Sequence, residues 1–344
     1  MFRLDPHSSP VPAAGPSLEP LCDPQGRRLD YLRLAVTDRC NLRCRYCMPA
    51  AGIDLAVHRD VLTLAEMFRL GTIFANLGVR KFRVTGGEPL VRKGVVELLA
   101  GLHQLPTAPE VLITTNGLLL AQNLDALQAA GLKRVNLSLD SLDRETWQKI
   151  TRRQGHDIVL AAIEQILQRG LALKINVVVL PGWNDHEVPD FVALTRDRDL
   201  SIRFIEPMPF DGGGKPLAAT ISGPEIRDLI GTRFALEPVA NAEGAVDKLY
   251  TVPGHRGTVG IIEGHSRTFC GSCRRLRVDA RGRLRTCLYG RPQVDLRAMV
   301  RAGATDDQLV TAIRAAVGRR LEDGIAAEQD SKLCGLESMA SIGG

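Results

Sequence analysis

Three of the chain's eight cysteines, Cys40, Cys44 and Cys47, lie within "DRCNLRCRYCMP" at spacing C-x3-C-x2-C. Three more, Cys270, Cys273 and Cys287, follow as C-x2-C-x13-C in "FCGSCRRLRVDARGRLRTC". Thiols grouped in this way bind metal or do redox chemistry. A structural zinc site closes with four ligands, and each group supplies three, with Asp54 and His58 as unaligned fourths for the first. A cubane iron-sulfur cluster also takes four, and three thiolates leave one iron free for a small molecule. The plain alternatives are a zinc knuckle, or one zinc site closed by cysteines from both groups.

The chain has 344 residues, 44% of them hydrophobic and 24% charged, enough for one large domain or two. No stretch reaches the length of a membrane span, and no basic segment with an apolar run opens the chain. The expected setting is cytoplasmic, where disulfides are rare and clustered cysteines are metal ligands or catalytic groups. The net charge of +5 favours acidic partners weakly. A zinc-stabilised RNA-binding module would suit that charge and Arg39, Arg43 and Arg45. With only 4% aromatics, it would lack stacking platforms for single-stranded nucleic acid.

Apolar, β-branched runs recur at residues 32–37, 81–87, 111–117, 134–141, 173–180 and 202–208. Helix-period segments lie between them, two ending on Gly78 and Gly170 as C-terminal caps. Six such repeats predict an α/β fold with a parallel sheet, either an incomplete (β/α)6 TIM-type barrel or an open doubly wound sheet. Either places ligands at the C-terminal ends of the strands, where the first cysteine group follows strand one. Residues 1–28, rich in Pro and small residues, read as a flexible extension. Residues 29–212 read as the barrel and 213–344 as a C-terminal region capping it.

Strand positions Arg33, Lys81, Arg83, Lys174 and Arg203 are basic. A charge buried without a partner costs several kcal/mol, so these side chains are expected to face a lumen holding water or an anion. Arg275 and Arg277 alternate with Leu276 and would share a strand face with Cys273.

The triplet "CNLRCRYC" with "GGEP" (residues 86–89) resembles the radical S-adenosylmethionine (SAM) superfamily. Together with "TTNG", "SLDS", the late triplet and the terminal "SIGG", it resembles the GTP 3′,8-cyclase family of molybdenum-cofactor biosynthesis, from about Tyr31 to Gly344. The resemblance implies two 4Fe-4S clusters, on Cys40, Cys44 and Cys47 and on Cys270, Cys273 and Cys287. It implies SAM contacts at Tyr46, Gly87, Ser138 and Met208. GTP contacts are implied at Arg33, Arg83, Thr114 (or the adjacent Thr115), Lys174, Arg275, Leu276 and Arg277. Lys81 and Arg203 match basic cavity positions, and Arg203, Gly343 and Gly344 are the catalytic candidates. The implied reaction is radical cyclisation of GTP to 3′,8-cyclo-7,8-dihydro-GTP. The implied partners are a flavodoxin or ferredoxin reductant, a downstream cyclic pyranopterin monophosphate synthase and a second copy in a homodimer, with no nucleic acid and no membrane. Another radical SAM enzyme with an auxiliary cluster is the alternative within the superfamily. Arg39, Arg43 and Arg45 are read as solvated.

Overall fold

The computed structural model describes residues 19–210, 219–331 and 337–343. Six parallel strands appear where the apolar runs predict them: β1 (Tyr31–Ala35), β2 (Lys81–Thr85), β3 (Glu110–Thr115), β4 (Arg134–Ser138), β5 (Ala172–Val178) and β6 (Leu200–Ile205). The crossovers contain α1 (Leu64–Asn76), α2 (Val95–His103), α3 (Leu124–Ala129), α4 (Arg144–Thr151), α5 (His156–Gln168) and α6 (Val188–Ala193). Helix α1 begins with a reciprocal cap. The Thr63 hydroxyl accepts from the Glu66 N–H, and the Glu66 carboxylate accepts from the Thr63 N–H. Beyond its end, Gly78 takes φ +90°, a left-handed conformation that glycine adopts without a side-chain penalty.

Each strand alternates. Leu32, Leu34, Phe82, Val84, Ile113, Val135, Leu137, Ile175, Val177, Ile202 and Phe204 are fully buried in one hydrophobic core. Their neighbours Tyr31, Arg33, Lys81, Arg83, Thr114, Asn136, Ser138, Lys174, Asn176 and Arg203 line a cavity on the other face. The two-residue period of the strands thus separates the two environments.

The predicted six strands prove to be the centre of a larger open sheet. Strands β7 (Glu237–Val239), β8 (Asp247–Thr251) and β9 (Thr258–Ile262) extend one edge, with β9 parallel to β6. Strands β10 (Arg275–Val278), β11 (Arg283–Arg285) and β12 (Val294–Asp295) extend the other, with β10 parallel to β1. The order is β12-β11-β10-β1-β2-β3-β4-β5-β6-β9-β8-β7. Residues 263–274 therefore run from one edge of the eight-stranded parallel set to the other. Only a three-residue 3-10 turn, Cys270–Ser272, marks this crossing, which is why strand-helix repetition misses β9 and β10.

Residues 19–28 are not the loose extension expected of them. Leu21 and Leu29 are 1% exposed, Leu21 N–H donates to Leu77 C=O, and Cys22 pairs with Arg28 in a β-bridge. Two apolar anchors dock this stretch despite its proline-rich surroundings. Residues 1–18, together with the thiol of Cys334, lie outside the described residues. Among the described residues, no helix is long and apolar enough to cross a membrane.

Phe82 sits at 0% exposure between the sheet and the helices. Phe82→Ala should lower stability by about 3–5 kcal/mol, read from the denaturation midpoint at unchanged denaturant dependence.

Candidate active site

Both cysteine triplets line one cavity of about 630 Å³, the first from the loop after β1 and the second from residues 270–287. Within each triplet the thiols lie close enough to perturb one another electrostatically. Among the described residues, no three His, Cys, Asp or Glu side chains converge tightly enough for a single metal ion. A four-iron cluster takes one thiolate per iron, so its ligands stand further apart.

Local donors already point at the sulfurs. Leu42 N–H reaches Cys40 Sγ at 3.4 Å, Asn116 Nδ2 reaches it at 3.9 Å, and Gly324 N–H reaches Cys270 Sγ at 3.3 Å. Burial pushes the Cys40 thiol up, the Cys44 thiol well up, and the Cys47 thiol to about 12. Metal binding must therefore displace protons. Cys273 alone shifts down, because Arg320 and Arg275 outweigh its burial. Three thiols around shared space, with N–H donors directed at the sulfurs, fit an iron-sulfur cluster at each triplet.

The first loop is held by its neighbours. A Cβ on Gly86 would come within 2.4 Å of Thr37 O, and one on Gly87 within 2.3 Å of Arg39 O. The glycines of "GGEP" thus let two backbones touch. Glu88, fully buried, accepts from Leu90 N–H (3.0 Å), Asn116 N–H (2.7 Å) and Thr115 Oγ1 (2.8 Å), tying "GGEP" to "TTNG". Burial pushes its carboxyl up to about 7. Arg43 and Arg45 are not merely solvated. Arg43 Nη1 donates to Cys40 O (2.7 Å) and Leu42 O (2.8 Å), and Arg45 donates to Lys149 O (2.8 Å) and lies over Trp183.

Tyr46, Gly87, Ser138 and Met208 line the same cavity as the first triplet. Tyr46 Oη donates to Asp140 Oδ2 at 2.8 Å, and Asp140 also accepts from Val178 N–H at 3.0 Å. Burial holds the Asp140 carboxyl up near 6. Asp140 fixes the Tyr46 ring, a role that no sequence pattern marks.

Arg33, Arg83, Lys174, Arg203, Arg275 and Arg277 converge on the cavity between the triplets. Burial lowers Arg203 and Arg277 to about 10 and Lys174 to about 8, with neighbouring cations adding to the shift in each case. Burial, then Arg277, lowers Arg33 well below its ordinary value. Arg203 Nε and Arg275 Nε are buried without a partner among the described residues. Asp247 is the acidic group acting on both Arg203 and Lys174. Lys81 is the more peripheral cation, half-exposed and paired with Glu110 at 2.9 Å.

Tyr31 was not anticipated. It begins β1 two residues before Arg33, so strand alternation alone would have placed it on the same face. Its ring lies 5.3 Å from the Arg275 guanidinium carbon, 5.8 Å from that of Arg83 and 5.6 Å from Lys81 Nζ, and its hydroxyl pairs with Arg83 Nε. Burial raises its pKa, but Arg83, Arg33 and Arg275 outweigh that and bring the phenol down to about 7.

Thr114 and Thr115 both line the cavity; Thr114 Oγ1 accepts from Arg83 Nη1 at 3.3 Å, whereas Thr115 Oγ1 is bound to Glu88. Leu276 departs from expectation. Its side chain packs in the core opposite Leu32, because alternation turns it away from Arg275 and Arg277, so only its backbone could meet a ligand.

The chain's end is docked. Ser338 Oγ donates to Cys47 O (2.7 Å) and caps the short helix Met339–Ile342. Gly343 O accepts from Arg277 Nη1 (2.7 Å) and Arg33 Nε (3.4 Å). Gly343 has φ +80°, and a Cβ there would stand 2.7 Å from Ala35 Cβ. Gly344 lies outside the described residues.

Residues 34–195 match the Radical SAM superfamily, and residues 200–324 match Molybdenum Cofactor Synthesis C. A crystal structure of Streptococcus suis SuiB bound to S-adenosylmethionine shares the fold at TM-score 0.55 and 15% identity, covering 83% of this chain and 68% of that one. Fold and site together define a radical SAM enzyme. The chain is 43% identical over 293 residues to "GTP 3′,8-cyclase" of Moorella thermoacetica, covering 85% of this chain and 91% of that protein. It is 44% identical over 303 residues to "Molybdenum cofactor biosynthesis protein 1" of Drosophila melanogaster, covering 88% of this chain and 54% of the relative. It spans about half the length of the animal relatives it matches. The chain belongs to the GTP 3′,8-cyclase family, the family that its motifs resemble.

Two outcomes are expected. Gly87→Ala should push the cysteine loop away and reduce iron at the first triplet by more than half, with circular dichroism unchanged. Affinity for inorganic triphosphate should fall as pH rises through about 7 and then 8. Above the first value Tyr31 adds negative charge; above the second Lys174 loses positive charge. In calorimetric titrations Tyr31→Phe should remove the lower part of that decline and Lys174→Met the upper part.

Proposed function

We propose that this chain is a GTP 3′,8-cyclase that converts GTP to 3′,8-cyclo-7,8-dihydro-GTP by radical SAM chemistry, opening molybdenum-cofactor biosynthesis. The observation that carries the reading is the shared cavity: two incomplete thiol sets face it, with six cationic side chains between them. A buried cation cluster of this kind suits a ligand bearing about four negative charges, such as a nucleoside triphosphate.

In this reading Cys40, Cys44 and Cys47 hold a 4Fe-4S cluster. Gly87 offers backbone to the amino acid end of SAM, Tyr46 lies by the adenine, and Ser138 and Met208 complete that subsite. When bound, this cluster and SAM supply a 5′-deoxyadenosyl radical that takes hydrogen from the ribose C3′. Arg33, Arg83, Thr114, Lys174, Arg275 and Arg277 hold the triphosphate, with Leu276 contributing backbone only. Cys270, Cys273 and Cys287 would hold a second cluster, which would supply a binding point for the guanine base. Arg203 and Gly343 border the reacting ribose. The surrounding wall would keep the radical from competing hydrogen donors and oxidants in solution. A flavodoxin or ferredoxin reductant, a downstream cyclic pyranopterin monophosphate synthase, a homodimer and a cytoplasmic setting complete the proposal.

Anaerobic reconstitution tests it. The intact protein should hold about eight irons with matching acid-labile sulfide, and the Cys270→Ala, Cys273→Ala, Cys287→Ala variant about four. Cyclised product and 5′-deoxyadenosine should form from GTP and SAM with the intact protein alone. Zinc without sulfide would return the cysteines to a structural role.

A further inference from the structure

The second triplet is braced from behind by a segment that the sequence disguises as an appendage. Arg27 Nη1 donates to the carbonyls of Cys270 (2.8 Å) and Glu322 (2.6 Å), and its Nη2 donates to that of Leu321 (3.0 Å). Arg27 Nε is fixed by Asp23 Oδ2 at 2.6 Å. Asp23 Oδ1 accepts from the N–H groups of Gln25 (3.1 Å) and Arg27 (2.9 Å), so the carboxylate is anchored within its own turn. Asp23 Oδ2 also stands 3.5 Å from Arg320 Nε. Arg320 Nη2 donates to Cys273 O at 3.0 Å. One carboxylate therefore orients two arginines, and each grips the backbone of a different cysteine in the pair.

The side chains of Asp23 and Arg320 are 0% and 3% exposed, so the pairing is desolvated. Arg320 lines the same cavity wall as Cys270, Cys273 and Cys287. Its third nitrogen, Nη1, is buried and has no acceptor among the described residues. An unmatched donor on a buried guanidinium costs free energy unless something accepts from it. The Arg320 guanidinium acts on the Cys273 thiol electrostatically and by side-chain hydrogen bonding, so sulfur at this triplet, as thiolate or as the sulfide of a bound cluster, is the acceptor it faces.

We propose that Asp23, Arg27 and Arg320 are positioning residues for the second iron-sulfur cluster, with Arg320 directing a charged donor at the cluster's sulfur through Nη1. The inference rests on the two-cluster reading above. Donors and positive charge near cluster sulfur favour the reduced, more negative state, and outer partners of metal ligands tune affinity as well. Residues 19–28 then have a function in the active centre. They set the geometry and potential of a cluster whose ligands lie some 250 positions later.

The test uses the full chain carrying Cys40→Ala, Cys44→Ala and Cys47→Ala, so that only the second triplet can bind iron. Iron, acid-labile sulfide and an EPR-monitored redox titration are measured in this parent and in its Arg320→Gln, Arg320→Lys and Asp23→Asn derivatives. Arg320→Gln should keep about four irons and shift the midpoint potential to a more negative value. Arg320→Lys, which preserves charge, should recover most of that shift. Asp23→Asn should lose iron to a chelator about tenfold faster than the parent. A brace that is only structural would alter iron retention without the charge-dependent change in potential, and that result would overturn the role of Arg320. Parent-like potential and iron retention in all three derivatives would overturn the whole proposal. A parent without iron and sulfide would overturn the two-cluster reading and this inference with it.

Discussion

The dominant constraint is a set of buried like charges. Six cationic side chains point from β1, β2, β5, β6 and β10 into one cavity, and burial together with neighbouring cations weakens the hold of Arg33, Lys174, Arg203 and Arg277 on their protons. Such a group is costly in an unliganded fold. Several features relieve it. The Tyr31 ring lies beside two of these cations, Arg83 and Arg275, the Gly343 carbonyl accepts from two arginines, and Asp247 stands by Arg203 and Lys174. The fully buried apolar layer on the opposite strand face supplies the compensating stability. A polyanionic ligand would complete the neutralisation, so the same strands that carry the core also build a site suited to one.

The open sheet makes the site two-sided. A closed barrel would fill its own centre with side chains. Here β9 and β10 stand on opposite edges, and the chain crosses between them through the loop that carries Cys270 and Cys273. That crossing sets the second triplet across the cavity from the first. The chain's end then docks against the Cys47 carbonyl and two arginines. Enclosure follows from segments far apart in sequence, as radical chemistry requires.

Much of the site was legible in advance because strand alternation is a strong rule. It correctly assigns Arg33, Arg83, Lys174, Arg203, Arg275 and Arg277 to one face, and applied to its end it would also have found Tyr31. The same rule sends Leu276 into the core, where matching positions to a family motif had given it a ligand contact. Glu88 and Asp140 escaped notice because their importance lies in what they accept from, and a carboxylate's partners are invisible until the loops around it close. The docking of residues 19–28 was hidden by composition. Proline-rich texture outweighed the two leucines that anchor the segment.

By itself the sequence determined the thiol sets, the places of six of the parallel strands along the chain and the face on which their charges lie. Each of these depends on spacing along a few neighbouring residues, and local geometry allows few alternatives there. Tertiary structure alone decided that the two triplets share one cavity, that the sheet stays open with strands added at both edges, and that Asp23, Arg27 and the chain's end meet the site. These contacts join residues hundreds of positions apart. Their free energy depends on burial and on partners that exist only once the whole chain has packed.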